Sequence, residues 1–211
     1  CEMCIRDSAH TVGSAIVKNG GDSWFFITAD YLFGHSVERD TSDVVKAAGG
    51  KVLGSVKHPL NTSDFSSFLL QAQSSKAKVV GLANAGGDTI NAIKQAAEFG
   101  IAKGGQNLSP LLAFISDIDS VGLETAQGLI LAEAFYWDLN DDTRAFTQRF
   151  MARTKRVPTS AQAGLYSEVS HYLKAVKAAG TTDAAAVMKQ MKETPINDFF
   201  AQNGKIREDG R

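Results

Sequence analysis

The chain has 211 residues, 44% of them hydrophobic and 21% charged, which is the composition of an ordinary globular protein with room for one large domain or two small ones. Its 22 basic and 23 acidic residues give a net charge of -1 without long runs of one sign, which excludes a typical nucleic-acid-binding protein. No stretch approaches the roughly 18 to 20 consecutive apolar residues that span a bilayer, so we expect no direct membrane insertion.

The first eight residues differ from the rest of the sequence. Cys1 and Cys4 form a C-x-x-C with no second pair and no flanking strand, so we expect neither a redox site nor a zinc site there. Residues 1–8 do not begin with methionine and do not resemble protein-coding sequence, so we expect a non-native tail. On that interpretation both ends of the chain are cuts, and an export signal is expected in the missing N-terminal part.

Strand and helix patterns alternate through the first part of the chain. After a helix that ends at residue 18, a continuous apolar run at residues 23–29 predicts a strand buried on both faces, which is typical of a parallel sheet. Further strands are predicted at residues 51–57, 79–83, 111–115 and 129–135. Helices between them are predicted at residues 37–48, from Asp64 onward, and from Asp88, as a cap, to Gly100. This alternation predicts an open, doubly wound α/β sheet with right-handed crossovers.

Only helices are predicted after residue 141. Their patterns cover residues 143–155, 160–179 and 183–193. The middle helix has an apolar stripe that we expect to face inward: Leu165, Val169, Tyr172, Leu173 and Val176. Such helices need a partner surface, either the α/β half or a second sheet whose strands are not in this chain. The second alternative predicts exposed stripes and loose packing after residue 141.

The sequence contains no recognisable catalytic motif. A dinucleotide-binding G-x-G-x-x-G is absent after the first strand, where D-Y-L-F-G occurs, and neither a P-loop nor a G-x-S-x-G elbow is present. The four histidines lack metal-binding spacing, and isolated histidines are usually surface or helix-end residues: His10, His35, His58 and His171. We therefore expect no catalytic residues, no metal, no cofactor and no enzyme activity.

Candidate binding residues follow the predicted strands. Ligands of open α/β sheets bind outside the carboxyl ends of the strands. Three such ends carry aromatic or polar residues: 30–33, 84–87 and 116–119. Tyr31 and Phe33 could contact an apolar ligand group, Asn84 could donate and accept hydrogen bonds, and Asp117 could accept them from an ammonium or hydroxyl group. Each also has a structural alternative, such as a core position for Phe33 and a turn for Asp117.

Four segments together resemble a known family. They are residues 24–34 (W-F-F-I-T-A-D-Y-L-F-G), 58–73, 81–100 and 124–141. They are similar to type I periplasmic solute-binding proteins of the branched-chain amino acid (Leu/Ile/Val-binding) ABC transporter class, and the resemblance covers nearly all of residues 11–211. It implies two α/β lobes that close on a ligand about a hinge. Residues 9–135 would form the second lobe, residues 136–141 a hinge crossover, and residues 142–211 the helices of an incomplete first lobe.

The resemblance also implies a function and a binding site. The protein would be the periplasmic substrate-binding component of an ABC importer, which delivers a branched-chain amino acid or a related small carboxylic acid, aromatic acids included, to a membrane permease. Tyr31 or Phe33, Asn84 to Ala85, and Asp117 match second-lobe ligand positions, while Tyr166 resembles an aromatic residue on a first-lobe helix. Two alternatives remain: a ligand-sensing domain of a receptor or regulator with the same fold, and an α/β enzyme whose motif lies outside this chain.

Overall fold

The computed structural model describes residues 2–210, with side chains from residue 9 onward. The chain divides between Glu133 and Ala134 into two compact units. The side chains of residues 1–8, where we expect a non-native tail, lie outside the described part. The backbone helix that ends at Lys18, as predicted, begins at Glu2. No helix within the described residues is both long and apolar enough to cross a membrane.

The first unit is an open parallel α/β sheet. Its elements are α1 (Glu2–Lys18), β1 (Ser23–Ala29), α2 (Leu32–Ala47), β2 (Lys51–His58), α3 (Ser66–Ser74), β3 (Val79–Ala83), α4 (Gly87–Glu98), β4 (Asn107–Pro110) and α5 (Ile115–Val121). The strands lie in the order β2-β1-β3-β4, and all neighbours are parallel. The predicted fold class and the first three predicted strands are confirmed.

Alternating side chains of β1 explain why helices cover both faces of the sheet. Trp24 and Phe26 point to one face, where they pack with residues of α1 and α2. Phe25 and Ile27 point to the other face and pack with α3 and α4. Gly81 on β3 makes room for this packing, because a Cβ there would lie 2.8 Å from the ring of Phe26. A strand with large apolar groups on both faces requires helices on both sides.

Two strand predictions were wrong. The apolar run at residues 111–115 is not a strand, and only the N–H of Leu111 donates to β3, at 3.1 Å to the carbonyl of Leu82. The fourth strand is Asn107–Pro110, which pairs with β3 although most of its residues are typical of turns. The predicted strand at residues 129–135 does not form either. It passes beside β4, where the Ser109 hydroxyl donates to the carbonyl of Ile130 at 3.0 Å. Because β4 is short and ends in Pro110, which has no N–H, its outer edge supports no further ladder.

The predicted helix starts at Asp64 and Asp88 also need correction. The helix α3 begins at Ser66, and Asp64 precedes it with its Oδ1 accepting from the Ser66 N–H at 2.9 Å. The residue that precedes α4 is Gly86, at φ 59°, a conformation open to glycine. Asp88 lies in the first turn of α4 and accepts instead from the backbone N–H of Asn61, in the loop after β2, at 3.2 Å.

The second unit consists of helices, as predicted. They are α6 (Asp141–Thr154), α7 (Ser160–Ala179) and α8 (Ala184–Glu193). Asn140, Thr159 and Asp183 cap them, each accepting a hydrogen bond from a backbone N–H of the first turn. The core is aromatic, since Phe146 stacks on Phe199 with ring centroids 4.0 Å apart.

The apolar stripe of α7 does not face inward. Leu165 is 61% exposed and Leu173 58%, and the other stripe residues are exposed or half-buried. The buried face instead carries small and polar residues: Ala163, Gly164, Ser167, His171 and Ala175. This face packs within the unit because its side chains find partners there, as when His171 Nε2 bonds to the carbonyl of Met191 at 3.0 Å.

Candidate functional site

The strand order changes direction between β1 and β3. From β1 the chain adds β2 on one side, and β3 and then β4 on the other. The helices that follow these two central strands, α2 and α4, pack on opposite faces of the sheet. A crevice therefore opens outside the carboxyl ends of β1 and β3, which is where open α/β sheets bind ligands. The segments that border it are residues 30–33 and 84–87.

Gly34 holds the start of α2 against these strand ends. A Cβ at Gly34 would lie 2.1 Å from the carbonyl oxygen of Ala29 and 3.0 Å from that of Ala83. Ala29 ends β1 and Ala83 ends β3. Since a side chain does not fit here, glycine in the D-Y-L-F-G segment is what allows residues 31–33 to lie at the point where the strand order reverses.

Tyr31 and Phe33 form an aromatic pair at this edge. Their ring centroids are 5.7 Å apart. Tyr31 is 37% exposed, whereas Phe33 packs partly against the core beneath α1 and α2. Burial raises the pKa of Tyr31 above its usual value, and the negative charge of Asp88 raises it further. Asp88 lies in the first turn of α4, and Gly34 lies against the ends of both β1 and β3, so the residues after these two strands share one edge.

Asn84, the first residue after β3, is only 1% exposed. Its Oδ1 accepts a hydrogen bond from the hydroxyl of Thr89 at 2.7 Å, and its Nδ2 lies 3.1 Å from Nε2 of His58. These contacts occupy the amide groups that the sequence suggested for a ligand. Ala85 is half-buried and leads into exposed Gly86, so the backbone of this turn, rather than the Asn84 side chain, faces solvent.

Asp117 lies in the first turn of α5. Its Oδ2 accepts a hydrogen bond from the backbone N–H of Phe114 at 2.9 Å, and the residue is half-buried. The same short helix places Ile115 N 3.3 Å from a carboxylate oxygen of Glu133. Asp117 therefore stabilises the start of α5, at the carboxyl side of β4.

Tyr166 belongs to the second unit, on α7. It is 52% exposed, and its ring centroid lies 5.2 Å from that of Phe146 and 5.9 Å from that of Phe199. The other five predicted residues, Tyr31, Phe33, Asn84, Ala85 and Asp117, all follow strands of the first unit.

The expectation that isolated histidines lie on the surface was wrong for two of the four. His58 is fully buried and His171 is 5% exposed. His35 is half-exposed and pairs with Asp30 at 2.8 Å on the rim. The sequence around His58 carries no signal for this burial, because β2 (K-V-L-G-S-V-K-H) mixes polar and apolar residues and its other residues are exposed or half-buried.

The arrangement at this edge suits the binding of a small molecule. It offers two aromatic rings, exposed backbone at a glycine turn and a carboxylate, which are groups that orient a small molecule. Within the part of the chain whose side chains are described, no three histidine, cysteine, aspartate or glutamate residues come together as metal ligands do.

Comparison with known proteins shows what the chain is similar to. A family model for periplasmic binding proteins matches residues 6–211. A periplasmic binding protein from Burkholderia mallei is 58% identical, with a TM-score of 0.92 over 99% of this chain and 54% of its own. The branched chain amino acid ABC transporter periplasmic ligand-binding protein from Burkholderia xenovorans is 37% identical, with a TM-score of 0.87 over 98% of this chain and 55% of its own.

More distant structures share the fold alone. The solute binding protein of an ABC transporter from Rhodopseudomonas palustris, solved with 3,4-dihydroxybenzoic acid, is 23% identical, with a TM-score of 0.79 over 89% of this chain and 53% of its own. A search of curated proteins found no match. The chain thus spans about half the length of the solved relatives described here. Given the family match across residues 6–211 and the identity to the Burkholderia proteins, the chain belongs to the periplasmic binding protein family and has its type I fold.

Proposed function

We propose that the chain is part of the periplasmic substrate-binding component of an ABC importer and takes part in binding a small carboxylic acid. The observation that carries this proposal is the pair Tyr31 and Phe33 beside the turn after β3, at the point where the strand order reverses. The 37% identical Burkholderia xenovorans relative is named a branched chain amino acid ABC transporter protein, which supports the ligand class.

An amino acid is the first candidate ligand. The phenol of Tyr31 and the half-buried carboxylate of Asp117 can accept hydrogen bonds at this edge, and the buried carboxylate of Asp88 adds negative charge near Tyr31, which favours an ammonium group. The apolar side chain of leucine, isoleucine or valine would then contact the rings of Tyr31 and Phe33. Ala85 would contribute its backbone, and Tyr166 on α7 stays a proposed ligand residue from the family resemblance alone.

An aromatic carboxylic acid is the second candidate. The two rings at the edge are inclined by 31°, so a third ring could pack edge-to-face or offset against either of them. The Rhodopseudomonas palustris protein of the same fold was solved with 3,4-dihydroxybenzoic acid, a ligand of this class.

The remaining parts of the proposed function follow from the family. The relatives are solute-binding proteins, so we infer that this protein catalyses no reaction, acts in the periplasm and delivers its ligand to a membrane permease of the importer. Its ligand would be captured by hinge closure, driven by tighter binding to the closed state. A ligand-sensing domain of a receptor or regulator is the alternative, and it predicts ligand binding without transport.

A thermal-shift screen of the full-length gene product tests the ligand class. The panel is L-leucine, L-isoleucine, L-valine, benzoate and 3,4-dihydroxybenzoate, with L-lysine and D-glucose as negative controls. A ligand at about 100 times its Kd stabilises the native state by ~2.7 kcal/mol and raises Tm, because it binds only the folded protein. We expect a shift from one class and not from the controls; no shift from any acid would contradict the proposed ligands.

A matched pair of variants tests the site. Tyr31→Ala removes the ring at the proposed edge, whereas Tyr172→Ala removes a tyrosine of similar exposure, 45% against 37%, from α7. We expect Tyr31→Ala to abolish the ligand-induced shift and Tyr172→Ala to retain it. A full shift in Tyr31→Ala would place the site elsewhere.

A further inference from the structure

A buried polar chain joins the ends of β2 and β3 to the first turn of α4. His58 is the last residue of β2, Asn84 follows β3, and Thr89 lies in α4. All three are at most 1% exposed. The chain runs from Thr89 Oγ1 to Asn84 Oδ1 at 2.7 Å and from Asn84 Nδ2 to His58 Nε2 at 3.1 Å. The last contact joins His58 Nδ1 to the carbonyl oxygen of Pro59, at 2.8 Å.

Each hydrogen bond among Thr89, Asn84, His58 and Pro59 has a defined direction. Nδ1 of His58 lies 2.8 Å from the carbonyl of Pro59, which can only accept, and 3.3 Å from the hydroxyl of Thr62, which already donates to that carbonyl at 2.6 Å. These partners assign the proton to Nδ1. In the neutral ring Nε2 then accepts, which requires the NH2 group of Asn84 to face it and leaves Oδ1 of Asn84 to accept from Thr89. Reversing any one member would leave two donors or two acceptors facing each other in a buried site, which costs more than a lost surface hydrogen bond.

Aromatic packing fixes the imidazole as well. The His58 ring lies edge-on to Phe65, with centroids 4.8 Å apart, and to Phe68, at 5.9 Å. The loop between His58 and Phe65 is fixed to α4 by the side-chain amide of Gln95. This amide accepts from the N–H of Phe65 at 2.7 Å and donates to the carbonyl of Ser63 at 2.8 Å. His58 is thus held on a rigid support.

We propose that His58 is a positioning residue for ligand binding, which acts through Asn84 to hold the turn at residues 84–87. On this assignment the Asn84 side chain does not touch the ligand; it sets the backbone of Ala85 and Gly86 at the edge beside Tyr31. The assignment rests on the proposed function for its ligand, but the conformation of the turn can be measured without one.

Three variants of the full-length gene product separate positioning from general stability. His58→Phe keeps a ring between Phe65 and Phe68 but cannot accept from Asn84. His58→Gln restores an acceptor toward Asn84 through its side-chain carbonyl. The control is Gln106→Leu, which also removes a buried polar group but at the opposite end of the sheet, where Gln106 bonds the carbonyls of Ala72 and Ala77 at 3.0 and 2.8 Å.

The first measurement is backbone amide hydrogen exchange without ligand. We expect His58→Phe to accelerate exchange of the Ile90 N–H, which donates to the carbonyl of Gly86 in this turn at 3.0 Å, by about tenfold relative to Val80 and Leu82 of β3, since one buried hydrogen bond is lost. His58→Gln should recover most of that protection, and Gln106→Leu should leave the ratio unchanged. An unchanged ratio in His58→Phe, or an equal change in Gln106→Leu, would overturn the assignment.

The second measurement is the Kd for L-leucine and for benzoate by titration calorimetry. We expect His58→Phe to weaken the binding of whichever probe binds by about tenfold, with recovery in His58→Gln and no change in Gln106→Leu. Equal affinity in wild type and His58→Phe would refute the role in binding. If wild type binds neither probe, L-leucine and benzoate are excluded as ligands, while the exchange ratio still decides whether His58 positions the turn.

Discussion

Replacing Gly34 by alanine should destabilise the first unit although alanine is the better helix former. In an open helix this change would stabilise by about 0.5–1 kcal/mol. Here the new Cβ would lie 2.1 Å from the carbonyl oxygen of Ala29 and 3.0 Å from that of Ala83. Both obstacles are backbone atoms of central strands, so α2 must move away from the sheet by roughly 1 Å. Overpacking of this kind costs about 1–3 kcal/mol, and we expect a net loss of about 2 kcal/mol.

Urea denaturation followed by tryptophan fluorescence measures this loss. Trp24 is fully buried in the first unit, so a Trp137→Phe background removes the second unit's signal. Gly87→Ala is the matched control, since it also lies in the first turn of a helix and its Cβ would meet nothing within 4 Å. We expect the control to stay within about 0.5 kcal/mol of the background protein. Equal midpoints for Gly34→Ala and Gly87→Ala would refute the steric argument.

Two further predictions concern the second unit. Leu173→Gln should change the free energy of unfolding of this unit by less than about 0.5 kcal/mol, because Leu173 is 58% exposed. His171→Ala should cost about 1–3 kcal/mol, because it leaves the carbonyl of Met191 unpaired. Amide exchange across α7 measures both effects, and equal effects of the two variants would contradict the prediction. Burial alone would raise the pKa of Asp198, but hydrogen bonds from Ser167 and two backbone N–H groups hold it below its usual value. The unfolded state therefore binds more protons, and stability should fall as pH drops below about 4, with a shallower fall in Asp198→Asn when both are followed by circular dichroism.

The sequence predicted those elements whose burial leaves a strong periodic signal. Residues 23–29 and 79–83 are apolar throughout and became β1 and β3, the two central strands. The edge strand β4 was missed because Asn107, Ser109 and Pro110 are typical of turns, and only pairing with β3 makes them a strand. The apolar run at residues 129–135 failed for the opposite reason: Leu129 and Ala132 pack against the sheet and Phe135 packs in the core of the second unit, but none of them pairs as a strand, which hydrophobicity does not reveal.

The candidate site was predictable as a location but not in the roles of its residues. Strand ends with Tyr31, Asn84 and Ala85 were identified because parallel strands share a carboxyl edge. Whether Asn84 faces a ligand or the interior depends on His58 and Thr89, which are 26 and 5 residues away along the chain. No local pattern contains that information.

The same ambiguity explains why α7 was assigned the wrong buried face. A helix with an apolar stripe and a small polar face can bury either one, and the choice depends on which surface can satisfy its groups. Within this unit Ser167 donates to Asp198 at 2.6 Å and Gly164 lets the Phe200 ring approach, so the polar face packs and Leu173 stays exposed. Hydrogen bonds between specific polar side chains therefore decide which face of a helix or turn is buried, both in α7 and around His58. Hydrophobicity decides only that helices pack on the sheet or on one another. We therefore expect variants that change a hydrogen-bond partner, such as His58→Phe, to alter the turn at residues 84–87 without unfolding the sheet. Variants of the apolar core are expected to destabilise the sheet itself.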